Sequence, residues 1–440
     1  MMSPTLLLAC FLLPGGDPLP GADPVLWRTP SSVEAPSSAE DPFPAEDPPV
    51  ASVPGQTQAP GDPLVPDTVL TPPWGPRTVV TRAPGAPVMA LRLHIPLRER
   101  SWEGGFGEIL MRMGVERARG VADQVGARVE GVRTGAGIAY TVTGPPADFD
   151  HLVWVLRRAM AEPDPGEFAS ARRRVLSDLE RAQETPGGVL AQRLRSRMAP
   201  EIPPPAGRVG TLEATGFQDL LATWHRTHRR DQTQLVLVGP VATEAILAAL
   251  LELGLPAPEE EPSEVEAPRD SPSDEPTPDP EVLRHWYGEA YPASSVDDPR
   301  SLVAGILLSQ QLRERPGRYE ASVEVWEVGD RAVVAVAGAA FPQQSAEVRS
   351  RIQELRREVA ENLSNDQVEG AIRQLHREIL MEARTPGGLA NVLGRRMEGT
   401  GEPESAVRYL DRLTSVDRDG MATYLEELVQ ASPVTGEVHP

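Results

Sequence analysis

The chain has 440 residues and one cysteine, Cys10, so no internal disulfide staples it. It also lacks an excess of positive charge. Its 43 basic residues, all arginine, stand against 64 Asp and Glu, a formal net charge of −21. Nucleic-acid binding needs clustered cations, so that class is set aside. Beyond the first residues there is no apolar run long enough to cross a membrane. Neither a G-x-S-x-G nucleophile elbow nor a P-loop occurs.

The apolar run that does occur, LLLACFLL, lies at the extreme N-terminus. It is similar to a secretory h-region, and Leu7–Cys10 resembles a bacterial lipobox with Cys10 as the lipidated residue. Residues 1–22 are therefore expected to be a signal. The protein is expected in the periplasm or cell envelope of a bacterium, touching membrane only through a lipid anchor. Residues 23–75 are crowded with Pro, Gly, Ala, Asp and Ser. They bury too little apolar surface to offset their ordering entropy, so disorder is expected. Residues 256–281 are acidic and Pro-rich and read as an extended linker.

The remaining chain repeats itself. TPGG occurs at Thr185–Gly188 and again at Thr385–Gly388, 200 residues on. LRRAMAE at 156–162 answers LRREVAE at 355–361, and ATW at 222–224 answers ATY at 422–424. Matches in one order at offsets of 199 or 200 imply two homologous halves, 76–255 and 282–440. Each reads as strands followed by helices, without strict βαβ alternation. The expected class is α+β, with an antiparallel-rich sheet and helices packed on one side in each half. Arg77–Thr81 and Val88–Ile95 read as a hairpin, Gly104–Gly120 as a helix and Gln234–Val238 as a buried strand. TPGG is expected to end one helix through a glycine C-cap and start the next. The tail ASPVTGEVHP scarcely reads as a strand, so the second sheet is expected to pair its edge poorly.

Three features over 75–440 resemble the pitrilysin/insulinase family of zinc metallopeptidases, in particular the two-domain members related to processing peptidases. They are the tandem α+β halves, a helix opening with Gly-Gly-Phe-Gly, and LRERPGRYEASV at 312–323. Active members carry H-x-x-E-H on the first helix, two zinc-binding His at i and i+4 with Glu as base. Here EILMR occupies that place: Glu108 and Arg112 at the His positions, Met111 at the base position, and Asp178 near the downstream ligand position. Arg does not ligate zinc and a thioether is no base, so the resemblance implies no metal and no catalytic residue in this chain. Glu108 and Arg112 have the spacing of an ion pair, worth about 0.3–0.5 kcal/mol when exposed.

In the family, an Arg and a Tyr of the second half reach toward the zinc site, which implies substrate-binding roles for Arg313 and Tyr319. The implied protein is a non-catalytic partner subunit that binds extended peptides by sheet-edge addition. It would form a heterodimer with an H-x-x-E-H-bearing chain, which alone carries zinc. The alternative is an envelope structural or assembly protein that keeps the fold for its interfaces. His225 and His228 have helical spacing but no third ligand nearby, and read as a solvated helix face. His94 and His285 read as core-edge residues.

Overall fold

The computed structural model describes residues 64–72, 75–254, 282–314 and 320–440. Cys10, the whole of the expected linker and Tyr319 lie outside them. In the first half the order is β1 (Thr68–Leu70), β2 (Arg77–Arg82), β3 (Met89–Pro96), α1 (Phe106–Ala122), β4 (Arg128–Arg133) and β5 (Gly137–Gly144). Then come α2 (Phe149–Met160), α3 (Pro165–Gln183), α4 (Pro186–Met198), α5 (Val209–Ala214), α6 (Phe217–Thr227), β6 (Gln234–Gly239) and α7 (Thr243–Glu252). The second half runs β7 (His285–Ser295), α8 (Arg300–Glu314), β8 (Glu320–Val328), β9 (Arg331–Ala340), α9 (Ser345–Glu361) and α10 (Asn365–Glu382). It ends with α11 (Pro386–Thr400), α12 (Ser405–Thr414), α13 (Arg418–Gln430) and β10 (Val434–Val438).

The class is α+β, and the repeat is visible in the sheets. The first sheet is ordered β1-β2-β6-β3-β5-β4 and the second β10-β7-β9-β8. The run β6-β3-β5-β4 thus recurs in the second half, each strand replaced by its counterpart. All pairs are antiparallel except β2 with β6. Three expectations are corrected. β2 and β3 do not form a hairpin, because the apolar β6 lies between them and buries four consecutive side chains. The expected disorder over 23–75 does not extend to its end: Leu64 is fully buried and Thr68–Leu70 pair with β2. The C-terminal tail does supply an edge strand, with Val434–Val438 in full register on β7. Backbone pairing and the burial of Val438 outweigh its weak pattern.

The TPGG segments also differ from expectation. Thr185 and Thr385 are N-caps whose hydroxyls accept from the N–H of Gly188 and Gly388, at 3.2 and 3.0 Å. Pro186 and Pro386 fill the first helical position. The glycines are no C-caps. A Cβ at Gly188 or Gly388 would collide with the Ala182 or Glu382 carbonyl of the preceding helix. Glycine is needed here because the two helices meet at backbone contact.

Those two caps launch the helices that join the halves. Strand side chains alternate between faces. In the first sheet Val80, Leu91, Leu235 and Leu237 face α1 and α2. Val79, Ala90, Val236 and Val238 face the other way and join Leu389, Leu393 and Met397 of α11. The second sheet mirrors this: Val333, Ala335 and Val438 pack against Val189, Leu190 and Leu194 of α4. Gly288 and Gly436 lie directly under Leu190 and Leu194, where any side chain would lift the helix. Each half's own helices cover one face of its sheet, and a helix of the other half covers the second face. Burying one such Leu contributes roughly 1.5–3 kcal/mol.

Under α11 the contact is polar. Arg92 is almost fully buried, pairs with Glu398 and donates from Nε to Asn391 at 3.2 Å. Thr141 donates to the same Asn391 oxygen at 2.9 Å. Burial opposes ionisation of Glu398, but the Arg92 charge and the hydrogen bonds to the carboxyl together outweigh burial and hold it below its usual range. His94, two residues along the same face, lies 3.9 Å from Glu398. Burial pushes its pKa down from 6.5 to about 4.

A depressed histidine makes stability fall as pH drops. Below 6.5 the unfolded chain takes a proton on this residue, while the folded chain refuses it until about 4. That contributes a slope of about 1.4 kcal/mol per pH unit across the window. Glu99 and Glu327, raised by burial, act in the opposite sense at overlapping pH. The prediction is therefore a difference. The gap in urea-unfolding free energy between the protein and His94→Gln should narrow by that slope as pH falls from 6.5 to 4. A constant gap would contradict a buried neutral His94.

Candidate functional site

Helix α1 begins under tight constraint. Gly105, its N-cap, sits at φ +91°, and a Cβ there would meet Ala206 O and Leu212 at 2.8 Å. Glu103, just before it, is fully buried and accepts two bonds from Arg226 of α6, at 2.7 and 2.8 Å. Such a bidentate charged pair fixes direction as well as distance. The buried Glu99 carboxylate accepts from the Gly107 N–H at 2.7 Å, at the positive end of the helix dipole. Further along, Tyr140 of β5 donates to Leu110 O at 3.0 Å, and Gly114 lets its ring lie against the helix. The helix is thus pinned at its start and middle, with Phe106, Ile109, Leu110 and Met113 in the core.

Its opposite face carries the charged residues. Arg112 Nε donates to Glu108 Oε1 at 2.7 Å, and its Nη1 donates to Asp178 Oδ2 of α3 at 2.6 Å. Arg181 holds the other Asp178 oxygen at 3.1 Å. Glu108 is well covered while Arg112 and Asp178 stay partly exposed. Burial disfavours the Arg112 charge, but the two carboxylates outweigh it and raise the guanidinium pKa. The structure brings Glu108, Arg112 and Asp178 together, whereas Met111 turns to β4 and covers Gly131. β4 ends the sheet, so its outer edge has no strand partner among the described residues. This donor set does not fit a zinc ion: a guanidinium lies between the two carboxylates and donates to both.

Arg313 lies exposed in the last turn of α8, the counterpart of α1 in the second half. The reading of a solvated face holds for His225, which is exposed, and is corrected for His228. His228 is buried, stacks on Trp224 with ring centroids 5.1 Å apart, and has Nδ1 3.1 Å from Thr227 Oγ1. Burial pushes its pKa down to about 3, so it is a neutral core residue. The stretch ends α6, and His228 lies beyond the last turn, where the chain folds back under Trp224. One cluster escaped sequence reasoning: His285, Glu437 and His439 meet where β7 pairs with β10. The signal was E-x-H, two positions apart and so on one face of an extended segment.

No protein-family model matches the chain, and no curated protein sequence does. Solved structures do match. A peptidase M16 inactive domain from Pseudomonas fluorescens superposes with a TM-score of 0.68 at 13% identity, over 84% of this chain and 97% of that one. A protease from Helicobacter pylori gives 0.71 at 11% identity, over 84% and 99%. A chain of complex III2 from Candida albicans, with Inz-5 bound, gives 0.67 at 10%, over 84% and 95%. The chain shares its fold with these three chains, the M16 inactive domain among them, along nearly their whole length.

If α1 and α3 have the spacing of a metal-binding pair, zinc ligands can be placed on them. The variant Glu108→His, Met111→Glu, Arg112→His, Asp178→Glu should bind one zinc equivalent more than the parent chain, read by calorimetry. No added equivalent in a folded variant would mean that these helices do not present metal geometry.

Proposed function

We propose that this chain is the non-catalytic, substrate-binding subunit of a zinc-dependent peptidase whose H-x-x-E-H motif resides in a second chain of the same fold. The carrying observation is the Glu108–Arg112–Asp178 ion-pair cluster on a fully anchored α1, beside the unpaired edge of β4. Helix, anchors and edge strand are all kept where no metal donor set stands. An inactive domain of the same fold supports the reading. In it, an extended peptide adds to the β4 edge through main-chain hydrogen bonds. Arg313 and Tyr319 hold that peptide toward the partner's zinc. No metal or other cofactor is bound at the α1–α3 cluster. The protein acts outside the cytoplasm, in the periplasm or envelope of a bacterium, with Cys10 as its lipid attachment point. The two halves, 76–255 and 282–440, work as one subunit.

A second reading is a structural or assembly protein of the envelope. It is favoured by the occurrence of the fold in a chain of complex III2. Reconstitution separates the two. Mixed with an H-x-x-E-H-bearing chain of this fold from the same organism, the protein should raise peptide hydrolysis at least tenfold over either chain alone. Replacing Arg313 and Tyr319 together by Ala should remove most of that gain while leaving the heterodimer intact. A complex without any gain in rate would favour the structural reading.

A further inference from the structure

The start of β7 and the end of β10 bring together three side chains that neither core uses. Val438 lies opposite Trp286 and Glu437 opposite Tyr287. One step further along this register, His439 comes opposite His285. Their rings meet edge to face, centroids 4.8 Å apart. Glu437 stands beside both: its Oε2 is 3.7 Å from His285 Nε2 and 3.4 Å from His439 Nε2. One ligand atom from each residue lies within 4.8 Å of the others.

Two further features point to a ligand. His285 is 92% buried, the complement of its 8% exposure, and its Nε2 has no hydrogen-bond partner. At 3.7 Å the carboxylate is too far to bond it. A buried ring nitrogen aimed at a carboxylate it does not reach is expected where an ion sits between them. The other Glu437 oxygen takes a bond from Arg349 of α9 at 2.5 Å, which orients the carboxylate and leaves Oε2 for the ion.

We propose that His285, Glu437 and His439 bind a late first-row divalent cation such as zinc, clipping β10 to β7. Two imidazoles and a carboxylate form a three-ligand set with the fourth tetrahedral position open to water. Ligand atoms 2.0–2.2 Å from one zinc stand about 3.3–3.5 Å apart. The His439–Glu437 separation already matches. The His285–Glu437 separation needs to close by a few tenths of an ångström, and the exposed His439 can follow. The positive charge of Arg349 keeps the affinity moderate. The clip fastens the strand on which α4 of the first half rests: Arg193 and Arg197 donate to Glu437 O and Thr435 O, each at 2.5 Å.

The test uses the full chain, stripped by a chelator and titrated with zinc chloride at neutral pH in a calorimeter. One zinc per chain should bind with about micromolar affinity. His439→Ala, at an exposed position, and Glu437→Gln should each weaken binding at least tenfold, while Asp178→Asn leaves it unchanged. Wild-type zinc affinity in both His439→Ala and Glu437→Gln would overturn the proposal, as would no binding up to about 1 mM zinc. Loss of the zinc in Asp178→Asn instead would assign it to α1 and α3, overturning this site and the metal-free reading of that cluster together.

Discussion

The structure depends on a reciprocal exchange of helices. Each half makes a sheet whose two faces are both apolar, yet its own helices cover only one of them. α11 closes the first sheet and α4 closes the second. Four glycines permit the approach: Gly288 and Gly436 lie under α4, Gly394 of α11 lies against Arg92, and Gly187 lies beside Trp286. A half by itself would expose a contiguous apolar face to water, beyond what soluble monomers leave open. The arrangement also explains why Arg92 tolerates burial. Its partners Glu398 and Asn391 come from the other half, so the charge is satisfied only when the halves are docked.

Much of this was legible in the sequence, and the gaps have physical causes. The repeat could be read because the exchange uses the same device twice, a Thr cap with Pro at the next position. The glycines of TPGG were misread because C-cap and close-approach glycines look alike in one dimension. The β2–β3 hairpin was misread because local alternation carries no information about a strand that arrives 138 residues after β3 ends. β6, which does arrive, was recognised as buried from QLVLV but not as the element that separates them. β10 was undervalued because VTGEV alternates weakly; its stability comes from backbone pairing and from α4 lying across it. His228 was misplaced because the chain turns inward after α6, an event that helical spacing does not signal.

At the candidate site the sequence named the residues and the structure added their geometry. Glu108 and Arg112 at i and i+4 implied one helix face, and the third member, Asp178, comes from α3 across a helix–helix contact. The arrangement keeps α1 rigid. The buried carboxyls of Glu103 and Glu99 at its start and the Tyr140 bond at its middle hold the face that carries Glu108 and Arg112. Such anchoring is well suited to presenting the neighbouring β4 edge in a fixed position. Binding then costs little ordering on the protein's side. A peptide held through its backbone at that edge would be offered to a catalytic group in another chain.

If this chain works with a catalytic relative, the two should be recoverable together. The most direct measurement is isolation of the protein from its native cells, with mass spectrometry of what accompanies it. A stoichiometric chain of similar length that carries H-x-x-E-H is expected. Recovery with envelope proteins that lack the motif, or alone, would contradict it.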